Sequence, residues 1–201
     1  MNRKFKLLSG IVGLTLVIAI AMISHSFLGD RASGNLPGLA MQPQTSEIRD
    51  FETDGAYSVA QNLTIAPDFI MTNWEGDEIA FSQVGEGPIV LNFWASWCPS
   101  CRQEQPHFQA AYAEFGDQIQ FVMVNLTDGF RETRESVATY IDQNEYTFPV
   151  YFDTLGDGTL NYSVRFIPTT FFINRYGYLV ASSQGAMSAE SLRLGIEAIE
   201  G

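Results

Sequence analysis

The chain has 201 residues, room for one domain and an appendage, and its 46% hydrophobic and 13% aromatic content can build a core, which excludes wholesale disorder. Eleven basic residues stand against 23 acidic ones, a net charge of −12, and both lysines lie in the N-terminal tip, so no basic stripe remains for nucleic acid. Two cysteines are too few for a disulfide scaffold or a four-cysteine zinc site, yet they stand three apart as Cys98 and Cys101.

Arg3, Lys4 and Lys6 precede an uncharged run of 17 residues, Leu7 to Ile23. As a helix the run reaches roughly 26 Å, and Phe27 and Leu28 can extend it to a full span. Residues 1–28 are expected to be an N-terminal membrane anchor, with a signal segment cleaved near Ala19-Ile20-Ala21 as the alternative. Either way the cations stay in the cytoplasm and the rest, at a charge of −15 from eight bases and 23 acids, is exported. Residues 29–61 carry Gly29, Gly34, Pro37, Gly38, Pro43 and Gly55 without a sustained apolar period, and read as a flexible linker. The alternative is an extra element packed on the domain, to which Phe51, Tyr57 and Val59 would contribute apolar contacts.

The domain is expected over 62–201. Ile65–Met71 and Ile79–Phe81 flank the turn-rich Trp74-Glu75-Gly76-Asp77, which predicts a hairpin. Ile89–Trp94 reads as a strand covered on both faces, and it ends at the cysteines. From Cys98 to Gly116 the period is helical, with Phe108, Ala111, Tyr112 and Phe115 on one stripe and a kink expected at Pro106. Phe121–Val124 is a second buried strand, Arg131–Asn144 an amphipathic helix, and Tyr146–Phe152 an extended segment interrupted by Pro149. Thr170–Ile173 and Tyr178–Ala181 enclose the Asn174–Gly177 turn as a second hairpin, and Ser188 caps a closing helix to Ile199. This order implies an α/β fold with a mixed sheet.

Phe93-Trp94-Ala95-Ser96-Trp97-Cys98-Pro99-Ser100-Cys101, then Glu104 and Pro106, and later Ile167-Pro168-Thr169-Thr170-Phe171, resemble the thioredoxin superfamily. More closely, the chain is similar to the membrane-tethered, extracytoplasmic thiol-disulfide oxidoreductases of the TlpA/ResA type, which include cytochrome c maturation proteins. The resemblance covers about Ala66 to the C-terminus. It implies a thioredoxin-like fold, a central mixed sheet flanked by helices, with an added N-terminal β-hairpin. It also implies a cis Ile167-Pro168 bond packed against the cysteines, and an acid on the active-site helix that tunes them.

A Cys-x-x-Cys pair at a helix start can close and open a disulfide within one turn. Cys98, nearest the helix amides, is expected to attack, and Cys101, one turn deeper, to resolve the mixed disulfide. A purely structural disulfide over so short a loop would stabilise little. Haem attachment would need His where Arg102 stands, and zinc would have to recruit His107, so neither a metal nor a cofactor is expected. Glu104 falls on the apolar stripe, whereas Arg102, Gln103 and Gln105 take the polar side. Its carboxyl is therefore expected to be desolvated, raised in pKa, and able to pass protons to and from Cys101. Trp97, Pro99, Ile167 and Pro168 are expected to meet the substrate, with the Ile167 backbone bonding an extended segment.

These readings converge on an extracytoplasmic enzyme that reduces disulfides of exported proteins. Its expected partners are such clients, for instance an apocytochrome c cysteine pair or an oxidised methionine sulfoxide reductase, and a membrane thiol electron donor. Only the resemblance favours reduction over a disulfide-forming oxidant. A peroxiredoxin-like peroxidase is disfavoured because Trp94-Ala95-Ser96, not a Thr-x-x-Cys setting, leads into the first cysteine. A redox-inert binding module is disfavoured by the intact cysteines, Glu104 and Pro168.

Overall fold

The computed structural model of the chain describes residues 56–200, so the anchor or signal segment and residues 29–55 of the linker lie outside the described residues. The strands are β1 (Ala56–Ile65), β2 (Ile70–Thr72), β3 (Glu78–Ala80), β4 (Ile89–Trp94), β5 (Gln120–Asn125), β6 (Val150–Phe152), β7 (Thr169–Ile173) and β8 (Tyr178–Gln184). The helices are α1 (Pro99–Phe115), α2 (Arg134–Gln143), α3 (Asp157–Asn161) and α4 (Ala189–Glu200). Among the described residues no helix is long and apolar enough to cross a membrane.

All strands join one sheet in the order β1-β8-β7-β4-β5-β6-β2-β3. β4, β5 and β6 are parallel and every other neighbouring pair is antiparallel, which makes the sheet mixed. β4 is buried along its whole length because it is covered on both faces. Val90 and Trp94 point to a cluster built with Phe108 of α1, Val137 of α2, and Leu192 and Ile196 of α4. Leu91 and Phe93 alternate to the opposite cluster, with Phe69, Phe81, Val122, Val124 and Tyr162.

Two boundaries differ from the sequence reading for identifiable reasons. Residues 56–61, read as linker, belong to β1, which adds an antiparallel strand to the outer edge of β8. Its exposed Val59, Leu63 and Ile65 bury little, so cross-strand pairing rather than a hydrophobic period defines it. α2 begins at Arg134, not Arg131, because the Asp128 carboxylate accepts the amides of Phe130, Arg131 and Glu132 and holds them in a turn. Thr133 then caps the helix through the Ser136 amide. The β2–β3 hairpin is present but shorter than its apolar flanks suggest, and Ser188 caps α4 through the Ser191 amide as expected.

Gly195 sets how closely α4 lies on β7. A Cβ there would stand 2.1 Å from Cζ of the buried Phe172 ring. Gly195→Ala is therefore expected to destabilise the domain by about 2 kcal/mol net, a clash of about 3 kcal/mol less the roughly 1 kcal/mol that alanine gains in a helix. Urea unfolding checks it: a variant as stable as the parent would mean that α4 can lift off the sheet without loss.

Candidate active site

The end of β4 and the start of α1 place the two thiols. Cys98 is the N-cap of α1, in extended backbone conformation, and its Sγ accepts the Cys101 amide at 3.3 Å. Pro99 occupies the first helical turn, where its missing N–H leaves no intrahelical bond unmade, and it is exposed. Both cysteines are free thiols; Cys98 is 5% exposed and Cys101 is fully buried. The Ile167-Pro168 bond is cis, Pro168 is buried, and the Cys98 thiol lies 3.7 Å from the Ile167 carbonyl oxygen. Trp97 is 39% exposed with the Arg131 guanidinium 3.4 Å above its ring centroid, whereas Trp94 is buried in the core.

Glu104 is fully buried on α1. Its Oε1 accepts from Asn92 Nδ2 at 2.9 Å, and its Oε2 from the Met187 amide at 3.0 Å. The same Asn92 amide donates to Thr170 Oγ1 at 3.0 Å, which ties α1 to β4 and β7. Desolvation outweighs these two donors and pushes the Glu104 carboxyl up to about 8. Burial also pushes the Cys101 thiol well above its ordinary value, helped by its hydrogen bond with Cys98 and, less strongly, by the negative charges of Cys98 and Glu104. Gln105, read as part of the polar side, is instead fully buried. Its flank of α1 is roofed by the segment from Tyr140 to Thr147: Arg102 lies over the Tyr140 ring and Gln109 bonds Thr147.

The sequence reading missed a second buried carboxylate. Glu132 accepts the Ser96 amide at 2.6 Å, the Ser96 hydroxyl at 2.8 Å and Asn125 Nδ2 at 2.6 Å, and so pins the turn that leads into Cys98. Asn92 is a polar residue inside an otherwise apolar strand, a pattern that signals a buried polar partner, whereas Asn125 at the end of β5 gives a weaker one. Nothing local to Glu132 or Met187 announced theirs.

A Cys-x-x-Cys pair at a helix N-terminus, closed over by a cis proline and backed by a buried carboxyl, sits at the end of a mixed parallel-centred sheet, and residues 63–182 match the model of the AhpC/TSA family. The chain belongs to the AhpC/TSA family. Within it, the sporulation thiol-disulfide oxidoreductase A of Bacillus subtilis (strain 168) is 36% identical over 126 residues, 62% of this chain and 75% of that one. The thiol-disulfide oxidoreductase ResA of Oceanobacillus iheyensis is 35% identical over 132 residues, 63% of this chain and 67% of its own length. A solved structure of a putative thiol:disulfide interchange protein DsbE from Chlorobium tepidum superposes with a TM-score of 0.62 at 30% identity, covering 72% of this chain and all of that one. The likeness to the ResA type and the thioredoxin-like architecture, expected from the motifs around Cys98 and Pro168, are both found.

Proposed function

We propose that this thiol-disulfide oxidoreductase works outside the cytoplasm, tethered by residues 1–28, and reduces disulfides of exported proteins through Cys98 and Cys101. The observation that carries exchange through this pair is its asymmetry, and the likeness to the ResA type supports the reducing direction. Cys98 Sγ takes the Cys101 amide at the start of α1 and keeps a small exposure, whereas Cys101 beneath it has none. Cys98 as thiolate attacks one sulfur of the client disulfide, forms the mixed disulfide and releases one client thiolate, which takes a proton from water. Cys101 then loses its proton towards Glu104 and attacks Cys98 Sγ. The bond from Cys98 to the client breaks, the second client thiolate leaves, and the protein is left as the Cys98–Cys101 disulfide. One client disulfide has gained two electrons that the two protein thiols have lost. A membrane thiol donor returns them.

Ile167, Pro168, Trp97 and Pro99 border Cys98, and in this reading the Ile167 backbone, whose carbonyl faces the Cys98 thiol, bonds an extended client segment. Apocytochrome c cysteine pairs and oxidised methionine sulfoxide reductases are both clients of the right chemistry. Equilibration of the full chain against thiol buffers tests the direction of flow: a potential near about −270 mV supports a reductant, and one near about −120 mV would make it an oxidant. In parallel, a reporter fused after Gly201 should be active outside the cytoplasm and the intact protein should pellet with membranes. A mature N-terminus just after Ala21 would end the anchor reading.

A further inference from the structure

Two loops border Cys98, and each carries an aromatic residue beside an arginine. The first follows β5. The Leu126 amide donates to the Trp94 carbonyl at 2.9 Å and the Glu132 carboxylate holds Ser96, so this loop is fastened to the turn that bears the thiol. It presents Phe130, 94% exposed, and Arg131, whose guanidinium stacks on Trp97. The second loop precedes β7. It presents Arg165 and Phe166, the latter 66% exposed, immediately before Ile167, whose carbonyl faces Cys98 Sγ.

The cations here stand out against the rest of the domain. Residues 56–200 contain six arginines and no lysine, in a chain with 23 acids. Among the described residues the ion pairs are those of Arg193 with Glu114 and Glu197. Arg134 is taken up by Thr72 and the carbonyls of Asn73 and Trp74, and Arg175 by the Glu200 carbonyl. Arg102, Arg131 and Arg165, like Arg134 and Arg175, have no carboxylate partner among the described residues, and these three lie on elements that border Cys98. Three of the six arginines of this acidic domain thus stand, with the exposed rings of Phe130, Phe166 and Trp97, on the elements round Cys98.

We propose that this surface selects client segments in which an acidic residue and an aromatic or aliphatic residue stand next to the disulfide cysteine. The inference rests on the reductase reading above and names its substrate class. The client backbone lies along Ile167 while its acidic side chain meets Arg131 or Arg165 and its apolar side chain covers Phe130 or Phe166. The exchange chemistry is unchanged; only the encounter is biased.

The test uses the reduced full chain in single turnovers with two synthetic peptides, each closed by its own disulfide. One has Asp and Phe beside the cysteines and the other has Lys and Ser. At about 0.15 M salt, where screening over about 8 Å leaves the nearest cations in command, the acidic peptide is expected to react with a second-order rate constant about tenfold larger, a preference that falls below about twofold near 0.5 M salt. The ratio between the two peptides should collapse towards one in Arg131→Gln/Arg165→Gln and persist in Arg193→Gln. Equal rates for the two peptides in the wild type, or a ratio untouched by the double substitution, overturn the inference. Hydroxyethyl disulfide, small and uncharged, separates the two levels. If the wild type reduces it without distinguishing the peptides, the selectivity falls and the reductase stands; if the wild type reduces none of the three, both fall.

Discussion

Replacing Cys101 by alanine is expected to lower multiple-turnover disulfide reduction by at least about a thousandfold and to leave Cys98 covalently joined to its client. The substitution keeps the backbone amide that Cys98 Sγ accepts, so attack by Cys98 is preserved. What is lost is the sulfur that breaks the mixed disulfide. Cys98→Ala should also abolish turnover, but without trapping. The remaining thiol is fully buried, and burial disfavours its thiolate. Non-reducing gels of the two variants after incubation with exported proteins distinguish them. Equal trapping by both would reverse or dissolve the assignment of attacking and resolving thiol.

Glu104→Gln is expected to alter both rate and stability, in ways that pH separates. The carboxyl titrates near 8 in the folded chain against an ordinary 4.5, because burial disfavours its charge. Between those values the folded state holds a proton that the unfolded state has released, so wild-type stability falls as pH rises through this window. The glutamine variant carries no such group. It should gain on the wild type across the window, by at most about 5 kcal/mol above it, read from urea midpoints at about pH 5 and about pH 9. The rate moves the other way. In the wild type, resolution of the mixed disulfide should accelerate as pH approaches 8 and Glu104 becomes able to accept the Cys101 proton. The variant should lack that rise and be slower by about a hundredfold at the upper end. Removing the carboxylate charge also removes one cause of the raised Cys101 pKa, so the variant's Cys101 should titrate lower. Unchanged cysteine titrations together with unchanged rates would remove Glu104 from the mechanism.

The part of the molecule legible in the sequence was the part fixed by local pattern. β4 could be read because a strand covered on both faces has no polar alternation to blur it, and α1 because its stripe of Phe108, Ala111, Tyr112 and Phe115 keeps one period. Counting along that helix put Glu104 in the core correctly. The same count put Gln105 in solvent wrongly, since a helical period reveals one buried face and not the second cover that Tyr140 to Thr147 lays over α1. The cis Ile167-Pro168 bond came from resemblance; no spacing in the chain specifies an isomer. α3 was not anticipated because five residues carry too little pattern. Gly158 lets it sit against Phe69 and Phe93, where a Cβ would stand 2.7 Å from the first ring and 2.9 Å from the second, so its place is set by tertiary contact. Glu132 belongs to the same class: its partners lie 7 and 36 residues away in sequence, beyond any local window.

β1 has a practical consequence for anyone dividing the chain. The family match begins at residue 63, inside this strand. A fragment cut there would retain the pairings of Thr64 with Leu179 and Ile65 with Tyr178, but would lose those of Ala56 to Val59 with Gln184 to Ala181. The stripped half of β8 is the half that pairs through Gln184 and Ser183 with Thr169 and Thr170, directly beyond Pro168. Its unsatisfied amides and carbonyls would form a template on which a second molecule could dock strand to strand, beside the thiols, and self-association would then be mistaken for a property of the enzyme. The smallest faithful fragment must therefore begin ahead of Ala56.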